Sequence, residues 1–105
     1  MLLITTDHID GKKLQPLGIV KGSTVQSKHI GRDFMAGLKN LVGGEISDYT
    51  EMMDEARQIA TRRMIAEAST MGAEAIIGVR YTTSAVMQAA AEVIAYGTAV
   101  RYINE

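Results

Sequence analysis

The chain has no cysteine and no tryptophan, and only 1 proline and 1 phenylalanine among its 105 residues. Without thiols there is no disulfide framework and no thiolate metal site. An excess of either charge is also missing: 11 Lys and Arg stand against 12 Asp and Glu, for a net charge of −1. Nucleic-acid binders that work by neutralising phosphates concentrate basic residues, so that class is excluded. The two basic doublets, Lys12-Lys13 and Arg62-Arg63, each lie close to carboxylates in the sequence. No apolar run approaches the length of a membrane span. The opening "MLLITTDHIDGKK" soon turns polar, too early for a signal peptide, so a cytoplasmic location is expected.

What is present suits a folded domain. Hydrophobic residues make up 47% and charged residues 22%, a balance that argues against disorder. The length predicts one domain over residues 1–105, with a single modest core, because a chain of this size buries roughly two-thirds of its unfolded surface.

Along the chain, "LLIT" reads as a short strand and "DHIDGKK" as a turn centred on Asp10-Gly11. After Pro16, "LGIVKGSTVQS" is β-branched and lacks helical period. Gly18 and Gly22 fall on the same pleat face of that strand, so something is expected to approach it closely. "SKHIGRDF" reads as a loop, with Asp33 capping a short helix "FMAGLKNLV". Gly43-Gly44 then form a corner, and Ser47 or Asp48 caps a long helix that ends near Thr70 with Gly72 as its stop. "AEAIIGVRYTT" alternates, placing Ala75, Ile77, Val79 and Tyr81 on one face. "SAVMQAAA" fits a loop, a helical turn or the start of a strand, and "EVIAYGTAVRYI" is a final strand.

This order predicts an α+β fold: a mainly antiparallel sheet of about four strands, with one short and one long helix on one face. Both faces of the last strand are apolar. Val93, Ala95, Gly97 and Ala99 make a small, flat face, and Ile94, Tyr96, Val100 and Tyr102 a bulky one. One helical layer covers one face only, so the other calls for a partner, and another copy of the chain is the simplest.

On a wheel of 100° per residue, Tyr49, Met53, Ala56, Ala60, Met64 and Met71 share the apolar arc of the long helix. Glu51, Asp54, Glu55, Gln58 and Arg62 form the solvated face. Arg63 and Glu67 depart from the pattern by projecting from the apolar side, while Ile65 stands among the charges. A buried carboxylate needs a partner, so Arg63 pairing with Glu67, a bridge to a neighbouring subunit, and Arg80 as a further partner are all open. So is a ligand site that also uses Glu45 and Tyr49.

Other chemistry is sparse. Asp7, His8 and Asp10, with His29 across a strand pair, carry the oxygen and imidazole donors that suit a divalent metal ion; turn carboxylates and a solvated histidine are the plainer account. Met52, Met53, Met64 and Met71 at helical spacing read as core filler. "GIVKGS" lacks the Lys-Ser/Thr and the following helix of a phosphate loop. No nucleophile–base arrangement is visible, and no enzymatic activity is expected.

Taken in order, "LGIVKGSTV", "GRDF", "VGGEISDYTEMMDEARQIATRRM", "GAEAIIGVRY" and "IAYGTAV" resemble the YbjQ family of small bacterial and archaeal proteins, from about Ile4 to Tyr102. The most specific elements are Gly43-Gly44-Glu45 with Tyr49 and Arg57, the "GAEAIIGVR" run and "YGTAV". The resemblance implies an α+β fold of dodecin-like outline that assembles as rings, commonly pentamers, and a family labelled heavy-metal-binding. It draws Glu45, Tyr49 and Arg57 together, either as a clamp on the glycine corner or as a ligand pocket. The combined expectation is a non-enzymatic homo-oligomer that binds a metal ion or small ligand at subunit boundaries, with His8 and Asp10 as the metal donors. The alternative is a structural module that recruits a protein through Ile65 and an open strand edge.

Overall fold

The computed structural model describes residues 1–27, 47–87 and 90–104, with the backbone alone described over 47–49. Four strands and one long helix are described: β1 (Leu2–Leu3), β2 (Leu14–Ser27), α1 (Ser47–Thr70), β3 (Ala75–Met87) and β4 (Ala90–Tyr102). The strands form one sheet in the order β1-β3-β4-β2. β2 and β3 both run antiparallel to β4, while β1 is parallel to β3. The α+β reading and the mainly antiparallel sheet therefore hold, with one parallel pair at the edge. The expected short helix and the Gly43-Gly44 corner lie outside the described residues.

Strand β2 is an edge strand, which explains how it tolerates Pro16, a residue that cannot donate to a ladder. Asp10-Gly11 forms the expected turn, with the Lys12 amide donating to the Ile9 carbonyl at 3.1 Å and Gly11 at φ 74°. The ambiguous "SAVMQAAA" proves to be strand on both sides: Ser84–Met87 extends β3, and Ala90 opens β4.

The alternation expected for β3 fails at Gly78. That residue sits at φ 61°, and the register with β4 shifts between Ile77 and Arg80. The bulge reverses the parity of the residues after it, so Ile76 and Val79, three apart, both enter the core, and Tyr81 turns to the helix side. It also anchors the start of the chain. The Gly78 amide donates to the Thr6 carbonyl at 2.8 Å, the Val79 amide to Ile4 at 2.9 Å, and Arg80 Nη1 to Thr5 at 2.8 Å. Arg80 is thereby committed to backbone oxygens rather than to Glu67.

Helix α1 ends as its sequence predicts. Gly72 takes φ 76°, the Gly72 amide donates to Ser69 at 3.1 Å and the Ala73 amide to Ala68 at 3.1 Å, the paired bonds of a Schellman stop. The helix packs on β2 and β4 through Ala56, Ala60, Met64 and Ala68, each fully buried. These meet Val20, Ile76, Val93, Ala95 and Ala99 in one core. The approach is close at Gly22, where a Cβ would stand 2.1 Å from the Ala60 carbonyl oxygen and 2.3 Å from the Met64 amide nitrogen. At Gly18 it would meet Met71 Cε at 3.2 Å. The shared glycine face of β2 is therefore the helix-docking face, as its spacing predicts.

The opposite face of the sheet carries Ile19, Lys21 and Val25 from β2, beside Ile94, Tyr96 and Thr98 from β4. Ile19 is 78% exposed and Val25 56%. The body is elongated, 61 × 25 × 16 Å, with a radius of gyration of 17.6 Å. A compact domain of this length has a radius of about 13 Å. The accessible surface of 6928 Å² likewise exceeds the roughly 5,800 Å² expected of an 11.4 kDa monomer.

Candidate functional site

Among the described residues, the candidates singled out from sequence do not converge on one place. Glu45 and His29 lie outside the described residues, as does the side chain of Tyr49. Arg57 is ten positions beyond Ser47 on α1, about 15 Å along the axis, and its Nη2 donates to Asp54 one turn back. Both partners of that pair are exposed, so it contributes little to stability.

Arg63 and Glu67 are both exposed, and among the described residues no ion pair joins them. Arg63 Nη1 donates instead to the Ser23 carbonyl at 2.7 Å, satisfying an acceptor on the outer edge of β2. Within one copy of the chain the Glu67 carboxylate is thus exposed. Ile65 departs from expectation in the other direction: it is half-buried and packs against the core.

The reason is geometric. A wheel assumes that a helix faces its core in one fixed direction. The buried line Ala56, Ala60, Met64, Ala68 advances by four residues at a time, and each step of four turns about 40° beyond a full rotation. Over its length the contact line winds through about 120° as α1 crosses the sheet. Glu67 shares its azimuth with Ala56 and Ala60, but by that point the sheet has passed to another side.

His8 Nε2 lies 3.5 Å from Asp10 Oδ1, so the structure does bring the two expected metal donors together. Their side chains are 76% and 100% exposed. No third His, Asp or Glu joins them, since no group of three such residues able to hold a metal occurs among the described residues.

Two concavities are lined by described residues. One, of about 700 Å³, lies at the end of the sheet and is lined by Gly11, Lys12, Lys13, Tyr102, Ile103 and Asn104, with Lys12 Nζ 5.3 Å from the Tyr102 ring centre. The other, of about 490 Å³, runs between α1 and β3 and is lined by Asp54, Arg57, Gln58, Thr61, Arg62 and Tyr81. Its two sides are tied by a hydroxyl relay. Thr61 Oγ1 donates to the Arg57 carbonyl at 2.7 Å, which uses its one proton, so Tyr81 OH is the donor in its 2.7 Å bond to Thr61. Sequence reasoning placed Asp54, Gln58 and Arg62 on a merely solvated face and missed Tyr81 as their neighbour. The link spans 20 residues and depends on the parity change at Gly78, which no local pattern signals.

A two-layer α+β fold with an open sheet face and a charged groove beside its helix is the class these features define. Within it, the chain belongs to the YbjQ family, whose model, described as "Putative heavy-metal-binding", matches residues 1–103. Curated relatives are similar along their whole length. A UPF0145 protein of Halalkalibacterium halodurans is 60% identical, covering 100% of both chains. Another from Clostridium novyi is 59% identical over 98% of this chain and 100% of its own. An archaeal relative, the UPF0145 protein of Methanosarcina acetivorans, is 50% identical over 99% of each. A solved structure from Pediococcus pentosaceus, a DUF74 protein of unknown function, superposes with a TM-score of 0.66 at 17% identity, covering 98% of both chains. That likeness shows the fold. The family has no established activity, and none of these names states one. Among the described residues, no helix is long and apolar enough to cross a membrane.

Proposed function

We propose that the protein is a non-enzymatic, cytoplasmic subunit of a homo-oligomer, a pentameric ring of dodecin-like outline, that holds a small ligand or metal ion where its copies meet. The observation that carries this reading is the open face of the sheet. Ile19, Val25 and Tyr96 stand on it or at its margin, each at least 40% exposed, with no element of the described chain packed over them. Burying one such side chain contributes about 1.5–3 kcal/mol, so a neighbouring copy is a strong source of stability for that surface.

The residues described in one copy do not form a heavy-metal site. Thiolates are missing from the whole chain, and His8 with Asp10 supplies two exposed donors. A divalent ion at that position would need further ligands from a second copy. The groove at Arg57 and Tyr81 makes a small ligand the better-supported cargo.

Native mass spectrometry of the purified protein, with and without zinc, nickel and manganese, tests the reading. The expected result is a single closed assembly near five chain masses. A monomer at micromolar concentration sinks the assembly reading. An assembly whose mass and melting temperature do not change with any of the ions removes the metal from it.

A second reading has its own observation. Beyond Arg80, β3 has no described strand on its outer side, and Val86 and Met87 are 50% and 68% exposed there. Such an edge is a template for a partner's strand, which would make the protein an interaction module without a ligand.

A further inference from the structure

We infer that the groove between α1 and β3 is an oxyanion site that takes a small phosphate- or carboxylate-bearing molecule. The inference rests on the reading of the protein as a ligand binder and names the chemistry of the ligand. Its groove is concave, about 490 Å³, and two arginines and one aspartate are among its lining residues. The balance is therefore cationic, although the whole chain carries a net charge of −1.

The hydroxyl relay decides which groups face a ligand as donors. Thr61 and Tyr81 have both given their protons within the protein, to the Arg57 carbonyl and to Thr61 respectively. They stiffen the wall and leave Arg57, Arg62 and the Gln58 amide as the donors. A planar guanidinium presents paired N–H groups that match the spacing of oxygens on carboxylate or phosphate. Arg62 has no ion-pair partner among the described residues. Among the described residues, Arg57 has only Asp54, in a solvent-exposed pair that an anion of higher charge can displace. Asp54 thus acts as a competitor for Arg57, and its removal strengthens anion binding.

Isothermal titration of the full-length protein with inorganic pyrophosphate in one arm and citrate in the other tests this. Arg62→Gln is expected to weaken binding about tenfold, and Asp54→Asn to tighten it several-fold, both at exposed positions that leave folding intact by circular dichroism. Arg101→Gln, an identical charge change on distant β4, is expected to leave the affinity unchanged. The arm that binds more tightly identifies phosphate or carboxylate as the natural group. Equal loss in the Arg62 and Arg101 variants marks diffuse attraction and overturns the site, as does wild-type protein that binds neither probe at millimolar concentration. Failure here with a closed assembly by native mass removes the anion and leaves the assembly. Anion binding by a monomer does the reverse.

Discussion

The two faces of the sheet are built on opposite rules. On the helix side, β2 and β4 present Val20, Gly22, Ala95, Gly97 and Ala99, small or slim residues that are all buried. On the other side the same two strands present Ile19, Val25, Ile94 and Tyr96, larger residues that remain partly or mostly in water. A face of glycine and alanine is a contact surface already matched to a helix backbone. Where that face carries Ile19, Val25 and Tyr96, it has area in hand that stays in water. The difference separates a surface that folding completes from one that assembly would complete.

The sharpest way to break the comparison is to thicken the slim face. A Cβ at Gly22 would overlap the backbone of Ala60 and Met64, which cannot rotate away as a side chain can. Gly22→Ala is therefore expected to lift α1 off the sheet at a cost of about 3 kcal/mol or more. At about 4–8 °C per kcal/mol, the melting temperature should fall by well over ten degrees. A variant that melts with the wild type would show that helix and strand do not meet this closely.

Charging the broad face should separate folding from assembly. Ile19 is 78% exposed in the single chain, so Ile19→Lys has little to disturb within one copy. In an assembly that covers the face, each copy loses about 1.5–3 kcal/mol of burial and gains a charge that must be desolvated. The expected outcome is a chain with native circular dichroism and a smaller mass in sedimentation. Unchanged mass would mean that no assembly covers this face.

The helix face was legible in the sequence because its signals are local. Gly18 and Gly22 at even spacing announced a close approach to β2, and Gly72 announced the helix stop. Ala56, Ala60 and Met64 lay on the apolar arc of the wheel. The failures share one origin, since each needed a relation between distant segments. Glu67 and Ile65 were misplaced because the contact line winds along α1, a consequence of how the helix crosses the sheet. The parity of β3 was wrong beyond Gly78 because the bulge is fixed by Ile4 and Thr6, more than seventy residues earlier in the chain. The groove was invisible for the same reason, as Tyr81 reaches Thr61 only after that bulge. Among the described residues of the expected site, the His8–Asp10 proximity was readable because both residues belong to one turn.

The smallest effect separates two accounts of the charged residues on α1. If Arg63 serves Glu67, removing either partner should cost the same. The structure instead gives Arg63 a bond to the Ser23 carbonyl on the β2 edge, at 2.7 Å, and leaves Glu67 exposed without an ion pair among the described residues. Arg63→Ala should then lower stability by about 0.5–1 kcal/mol, the net value of one exposed hydrogen bond. Alanine's slightly better helix propensity returns a few tenths of that. Glu67→Gln should move the urea midpoint by less than about 0.5 kcal/mol equivalent, as surface changes away from specific contacts do. Equal losses in the two variants would restore the pair, whereas loss in Arg63→Ala alone assigns its guanidinium to the strand edge, where it also blocks an acceptor that another strand would use.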